Sequence, residues 1–232
     1  NADSMQVYKE LKILSARPSI RDYQKIKHHL FGFQSVKNEF STGDWLKLAN
    51  QKILEIKKRK KVPILVGGTG LYFKTLTEGL VSIPNIPIKF REKVRSLYKK
   101  IGGEKFFLRL VKLDPLVKNQ IKSSDAQRSM RAYEVKSFTK KSIYLWFKKT
   151  KSNHHQKDFY KIYLDFPKKE LLDRIHLRAQ EMIKKGAILE VKIFKRLRVR
   201  KDKTASKAIG IREITEYLEK KLKLTKLLKK LP

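Results

Sequence analysis

The chain has 232 residues, 41% of them hydrophobic, enough for one large domain or two small ones with a sizeable core. It has no cysteine, which excludes disulfides and thiolate zinc sites, and no apolar run nears the ~20 residues of a membrane span; no signal-peptide pattern is read. With 57 Lys and Arg against 22 Asp and Glu the net charge is +35, and a domain this basic self-repels unless a polyanion offsets the charge. Nucleic acid is the first partner this suggests and an anionic membrane the second, with a lysine-biased composition as the bland alternative.

Asn1-Ala-Asp-Ser-Met-Gln-Val-Tyr8 opens with a polar turn, where a strand would end and a helix begin. Asp3 and Ser4 have two readings there. Either is an ordinary N-cap, and a carboxylate at the carboxyl end of a strand is also where open α/β sheets place catalysis. From Leu11 to Gln34 the pattern is irregular. The adjacent His28 and His29 do not share a helix face or strand side, so no metal site is expected from them. Ser41-Thr-Gly-Asp44 reads as a capping box, and Trp45, Leu48, Ala49, Ile53 and Ile56 follow at helical spacing. A basic run at 57–61, read as a solvated helix end, leads into Val62-Pro-Ile-Leu-Val66. This short apolar run is predicted to be a buried strand of a parallel sheet. Gly67-Gly-Thr-Gly70 comes next, then a helix from about Leu71. A strand, a glycine turn and a helix make half of a βαβ unit. The glycines let backbone amides approach a ligand, and the new helix directs its positive end there. A tight turn without a ligand is the alternative.

Beyond Leu80 strand patterning stops. Pro84 and Pro87 mark a linker, with Pro87 expected as the first residue of a helix carrying Phe90, Val94 and Leu97. Phe106, Phe107, Leu110 and Val111 predict a second helix, stopped near Asp114-Pro115, and Asp125 caps a third. On the third helix Gln127, Arg128 and Arg131 share a face. Two arginines and a glutamine form a fork of donors suited to phosphates and base edges; a solvated face is the alternative. Residues 81–157 therefore read as an all-helical insertion, with 152–157 as its polar exit. Strand character returns at Phe159-Tyr-Lys-Ile-Tyr-Leu-Asp-Phe166. The following helix is expected to turn Leu171, Leu172, Ile175, Ala179 and Met182 inward and to stop near Gly186, with Arg174 and Arg178 one turn apart on it. Ala208-Ile-Gly-Ile-Arg-Glu213 opens a helix through Leu218, and the tail from Lys220 carries lysine and leucine at roughly helical spacing. The chain begins inside what reads as a motif and stops after a lysine-rich helix, so a fragment is expected at both ends.

Four segments, in this order, resemble the tRNA dimethylallyltransferase family, also called tRNA isopentenyltransferases. They are Asn1-Ala-Asp-Ser-Met-Gln-Val-Tyr8, Val66-Gly-Gly-Thr-Gly-Leu-Tyr-Phe73, Asp125-Ala-Gln-Arg-Ser-Met-Arg-Ala132 and Ala208-Ile-Gly-Ile-Arg212. The helix from Arg174 to Val191, with Ile175, Arg178, Met182, Gly186 and Glu190, also fits, so the likeness covers nearly the whole chain. The resemblance implies an α/β fold: a P-loop-kinase-like parallel-sheet core from 1–80 and 158–232, with 81–157 as an inserted helical domain that grips the anticodon stem-loop. It implies transfer of a dimethylallyl group from dimethylallyl diphosphate to N6 of adenosine 37 in tRNA, giving N6-dimethylallyladenosine. Mg2+ is the implied cofactor, the cytoplasm the implied location, and a monomer without a membrane partner the implied state.

By motif match the resemblance makes Asp3 the general base at the adenine amine. Ser4, Met5 and Gln6 would line the RNA site, and Thr69 would meet the target nucleotide. Arg91 would contact RNA, as would Gln127, Arg128, Ser129, Met130 and Arg131 from the insertion. Lys207, Ala208, Ile209, Gly210, Ile211 and Arg212 would form another RNA contact. Arg178 would hold the diphosphate, and no residue is assigned to a metal. The family's phosphate loop, of Gly-x-x-x-x-Gly-Lys-Ser/Thr type, would lie upstream of Asn1, so this stretch alone is not expected to turn over. Ala126 stands where proline is usual, Leu14-Ser15 where Gly-Thr is usual, and Phe31-Gly-Phe33 lacks an expected acidic residue. Two other classes stay open. One is a P-loop nucleotide or small-molecule kinase, against which the Gln127–Arg131 face argues. The other is a non-enzymatic basic RNA-binding protein, suggested by charge alone.

Overall fold

The computed structural model describes residues 1–148, 150, 152–221, 223 and 226–228, and the chain divides into two units, Asn1–Thr75 with Phe159–Pro232, and Leu76–Asp158. In chain order the helices are α1 (Ile20–Lys25), α2 (Thr42–Lys58), α3 (Gly70–Glu78), α4 (Ile88–Ile101), α5 (Gly103–Leu113), α6 (Ala126–Thr139), α7 (Ile143–Phe147), α8 (Lys168–Lys184), α9 (Ala187–Arg196) and α10 (Ile211–Leu218). Of the lysine- and leucine-rich tail from Lys220, residues 222, 224–225 and 229–232 lie outside the described residues.

In the first unit α2 starts where its capping box predicts. The Asp44 N–H donates to Ser41 Oγ (3.1 Å), and the Ser41 N–H donates to the Asp44 carboxylate (2.9 Å). The helix buries Trp45, Ala49 and Ile53. Tyr72 on α3 lies flat on Trp45, ring centroids 4.2 Å apart and 10° from parallel. A separate core gathers Val7, Leu11 and Val36 with Ala187 and Val191 of α9 and Ile214 of α10. Glu190 of α9 fastens the early chain to this core. Its carboxylate accepts from the N–H groups of Lys12 (2.9 Å), Ile13 (2.8 Å) and Leu14 (3.0 Å). Three consecutive amides on one carboxylate are charge-assisted hydrogen bonds, stronger than neutral ones.

Strand pairing among the described residues is confined to one parallel bridge, Tyr8 with Gln34, framed by Gln34 N–H to Val7 O and Lys9 N–H to Gln34 O, both 2.9 Å. The run 62–66, expected as a buried strand, is instead exposed: Val62 by 82% and Ile64 by 80%. Its tie to another segment is the Ala2 N–H, which donates to Val66 O at 2.8 Å. The run 159–166 likewise forms no ladder among the described residues, and Tyr160 is 92% exposed. The physical reason is that an apolar run becomes a strand only where a neighbouring backbone takes up its N–H and C=O groups. Helix α8 shows the same boundary. Ala179 is buried and Met182 packs on the core, but Leu171 and Leu172, expected inward, are exposed.

The second unit is built from α4 to α7. Ile86, Leu110, Val117, Ile121, Ala132, Val135 and Ile143 form its core. Phe106 of α5 meets Tyr98 of α4 at 5.1 Å and Tyr133 of α6 at 5.0 Å, and Phe90 of α4 meets Phe138 of α6 at 5.6 Å. Helix α5 ends at Leu113 before Asp114-Pro115, and α6 is capped by Asp125, whose carboxylate accepts from the Arg128 N–H at 3.0 Å.

Candidate functional site

The glycine turn closes over the start of the chain. A Cβ on Gly67 would lie 2.2 Å from the carbonyl carbon of Ala2 and 2.3 Å from its oxygen. The close approach that this glycine permits is thus made by the protein's own backbone. Gly68 and Gly70 differ, since a Cβ on either would meet nothing within 4 Å. The turn is clamped by Thr69 N–H to Ala2 O at 3.1 Å and by Ser4 N–H to Thr69 Oγ1 at 2.9 Å. The Thr69 hydroxyl donates in turn to Ser4 Oγ at 3.2 Å.

Asp3 is held in this knot. Its Oδ1 accepts from the Met5 N–H (2.7 Å) and, at longer range, from the Gln6 N–H (3.4 Å). No helix follows, so the N-cap reading is corrected: the carboxylate closes a turn across residues 3–6, as Asp side chains do over the amides just ahead of them. Its Oδ2 takes no hydrogen bond among the described residues. The Tyr72 phenol lies close enough to feel this charge. Burial first, then Tyr8, Asp3 and Asp44, push it well above its ordinary value, so it stays neutral beside Asp3.

The other expected site residues of this unit are placed as follows. The Gln6 amide donates to Ser15 O (2.9 Å) and Ala16 O (3.2 Å), tying down the next loop, and Met5 packs against the core. Arg178 is exposed on α8 beside buried Ala179, and it forms no hydrogen bond or ion pair among the described residues. Its neighbour Arg174 lies over the Phe166 ring at 4.2 Å. In the segment 207–212, Lys207, Ile209 and Arg212 are exposed, while Ala208, Gly210 and Ile211 are buried. Gly210 sits at φ 95°, a conformation suited to glycine, and its N–H donates to Glu213 at 3.1 Å. Arg212 pairs with Glu216 at 3.0 Å.

On α6 of the second unit, Gln127 and Arg128 are exposed, with Arg128 paired to Asp125 at 3.4 Å. Ser129, expected among the RNA contacts, faces the core, its hydroxyl enclosed without a partner, and Met130 is half-buried. Arg131 reaches Glu134, one turn on, at 3.4 Å. Arg91 on α4 is half-buried, its Nε enclosed without a hydrogen-bond partner. Sequence reasoning missed Glu134, although its i,i+3 spacing from Arg131 was a readable signal. It also missed the clip made by Glu190, for which no local signal exists. Among the described residues no three His, Asp or Glu side chains converge to hold a metal ion.

The family model for IPP transferase matches residues 6–232. A tRNA dimethylallyltransferase of Pelagibacter ubique is 53% identical over 224 residues, covering 97% of this chain and 72% of that protein. One of Rickettsia massiliae is 43% identical over 226 residues, covering 97% of this chain and 62% of that protein. Among solved structures, the full-length tRNA isopentenylpyrophosphate transferase of Bacillus halodurans superposes with a TM-score of 0.64 at 27% identity, over 99% of this chain and 71% of that one. A eukaryotic dimethylallyltransferase acting on tRNA superposes with a TM-score of 0.81 at 25% identity, over 100% of this chain and 58% of that one.

Proposed function

The chain belongs to the IPP transferase family, and from that premise we propose that it acts as a tRNA dimethylallyltransferase, moving a dimethylallyl group from dimethylallyl diphosphate to N6 of adenosine 37. The observation that carries the chemistry is Asp3, gripped through Oδ1 by backbone amides while Oδ2 has no partner among the described residues, beside the Thr69–Ser4 hydroxyl pair. In the step, N6 attacks the allylic C1 as the C1–O bond to the diphosphate breaks. The N6–C1 bond forms, the electron pair of the broken bond leaves with the diphosphate, and the N6 proton passes to Asp3 Oδ2. An exocyclic adenine amine is a poor nucleophile, so a carboxylate accepting its hydrogen lowers the barrier. Positive charge grows on carbon and negative charge on the departing phosphates. A cation set in advance at the diphosphate, the role proposed for Arg178, is favoured in that transition state. The base has to leave its stack to react, which a single-stranded loop permits at least cost.

The runs 62–66 and 159–166 are proposed strands of a parallel sheet, a reading supported by their apolar sequence patterning. Gln127, Arg128, Arg131 and Arg91, and separately Lys207, Ile209 and Arg212, are the proposed RNA contacts. Mg2+ is the proposed cofactor; the described residues do not make a three-ligand site for it, and no step here runs through it. The test is to incubate the protein with tRNA and labelled dimethylallyl diphosphate, digest the RNA, and identify nucleosides by mass. N6-dimethylallyladenosine at position 37 is the expected product. A phosphorylated nucleotide or small molecule in place of alkylated tRNA would move the chain to the kinase class.

A further inference from the structure

Glu134 is a buried carboxylate in the second unit that the proposed chemistry does not use. It lies one turn beyond Arg131 on α6, with Arg131 Nη1 3.4 Å from its Oε2. Its side chain is 7% exposed while that of Arg131 is 38% exposed, so the guanidinium is anchored at a buried point and still open to solvent. The Phe90–Phe138 contact and the Tyr98–Phe106–Tyr133 series hold α4 along α6. This packing brings Arg91 and Arg95 of α4 within electrostatic reach of the same carboxylate. The enclosed Nε of Arg91 shows that its guanidinium is packed on that side.

We propose that Glu134 is a positioning residue for RNA binding: a buried negative charge that fixes Arg131, with Arg91 and Arg95 around it, as a preformed array for RNA phosphates. The inference rests on the reading that this unit binds RNA. An arginine held in advance has already lost much of the rotamer freedom that binding would otherwise take from it. The arrangement works against stability. Burial pushes the Glu134 carboxyl above its ordinary range, with Arg131, Arg91 and Arg95 opposing. A carboxyl raised on folding favours the folded state when protonated, and that contribution is lost as pH rises through its folded value. At neutral pH a neutral amide at this position should therefore hold or raise stability.

Two accounts of Glu134 differ in sign. If it only neutralises charge, Glu134→Gln adds one net positive charge and tightens every RNA. If it positions arginines, the same change weakens the specific RNA although the protein becomes more basic. The experiment measures fluorescence anisotropy at fixed salt with a labelled anticodon stem-loop and an unrelated hairpin of equal length. Glu134→Gln should weaken stem-loop binding about fivefold or more, leave the hairpin unchanged or tighter, and keep the thermal midpoint at or above wild type. In an Arg131→Ala background the further effect of Glu134→Gln should be under about twofold. Arg131→Lys, which keeps the charge and loses the fork, should weaken the stem-loop similarly and serves if Glu134→Gln does not fold. Unchanged or tighter stem-loop binding by Glu134→Gln, or wild-type binding by Arg131→Lys, overturns the inference while leaving RNA binding by this unit standing. A wild-type protein that binds neither RNA overturns the RNA reading and the inference together, and one that binds both equally overturns the stem-loop preference on which the inference depends.

Discussion

A methyl group on Gly67 would sit 2.2 Å from the carbonyl carbon of Ala2, whereas one on Gly68 would meet nothing within 4 Å. Two adjacent glycines therefore have different work. Gly67→Ala is expected to destabilise the fold by roughly 1–3 kcal/mol through overpacking against backbone, and Gly68→Ala to stay within about 0.5 kcal/mol. Urea midpoints compare the two; equal midpoints would remove the reason given for Gly67. If Gly68→Ala folds normally but loses transfer, the ligand approaches there. Asp3 makes a sharper case. Asparagine accepts the Met5 and Gln6 amides as aspartate does, so Asp3→Asn should fold with a near wild-type midpoint and near wild-type tRNA affinity. It cannot take the N6 proton, and single-turnover transfer should fall at least about a hundredfold. Retention of more than about a tenth of the rate would mean that Asp3 is a turn residue and not the base.

Helices α2 and α6 begin where the sequence says because both partners of each cap lie within three residues, Ser41 with Asp44 and Asp125 with Arg128. The cap of α6 uses the Arg128 backbone N–H and not its guanidinium. Arg128→Ala should thus leave stability near wild type while weakening tRNA binding by roughly 1–3 kcal/mol. Unchanged affinity at moderate salt would return this face of α6 to plain solvent. The Glu190 clip on α9 has no such local signature, since its partners are Lys12, Ile13 and Leu14, 176 to 178 positions away. Glu190→Ala strands three amides, and a loss of about 2–3 kcal/mol is expected. The urea midpoint should drop at constant slope, and a shift too small to measure would show that water replaces the carboxylate. The expected inward face of α8 held at Ala179 and Met182, is half-buried at Ile175, and failed at Leu171 and Leu172. Periodicity specifies which side chains share a face, but burial needs something packed against it.

Across the whole molecule the net charge of +35 favours a partner of opposite sign. If that partner is tRNA, affinity should fall on the order of tenfold or more between about 0.1 and about 0.3 M monovalent salt, since each neutralised phosphate releases counterions. A flat salt dependence would assign the lysine excess to composition alone. The sequence alone determined the capped starts of α2 and α6, the glycine turn after an apolar run, the basic charge, and an order of motifs that pointed to the family, while α1 with its Ser19–Asp22 capping box went unread. Each of these is a property of composition or of a window a few residues wide. Tertiary structure decided the rest. It chose Gly67 and not Gly68 to meet Ala2, took Oδ1 of Asp3 and left Oδ2 open, and brought α9 to residues 12–14. It also left Val62, Ile64 and Tyr160 uncovered where their pattern alone predicts strands. These outcomes turn on which distant backbone arrives at a given place, and that is settled by packing summed over an entire unit, which no local window contains.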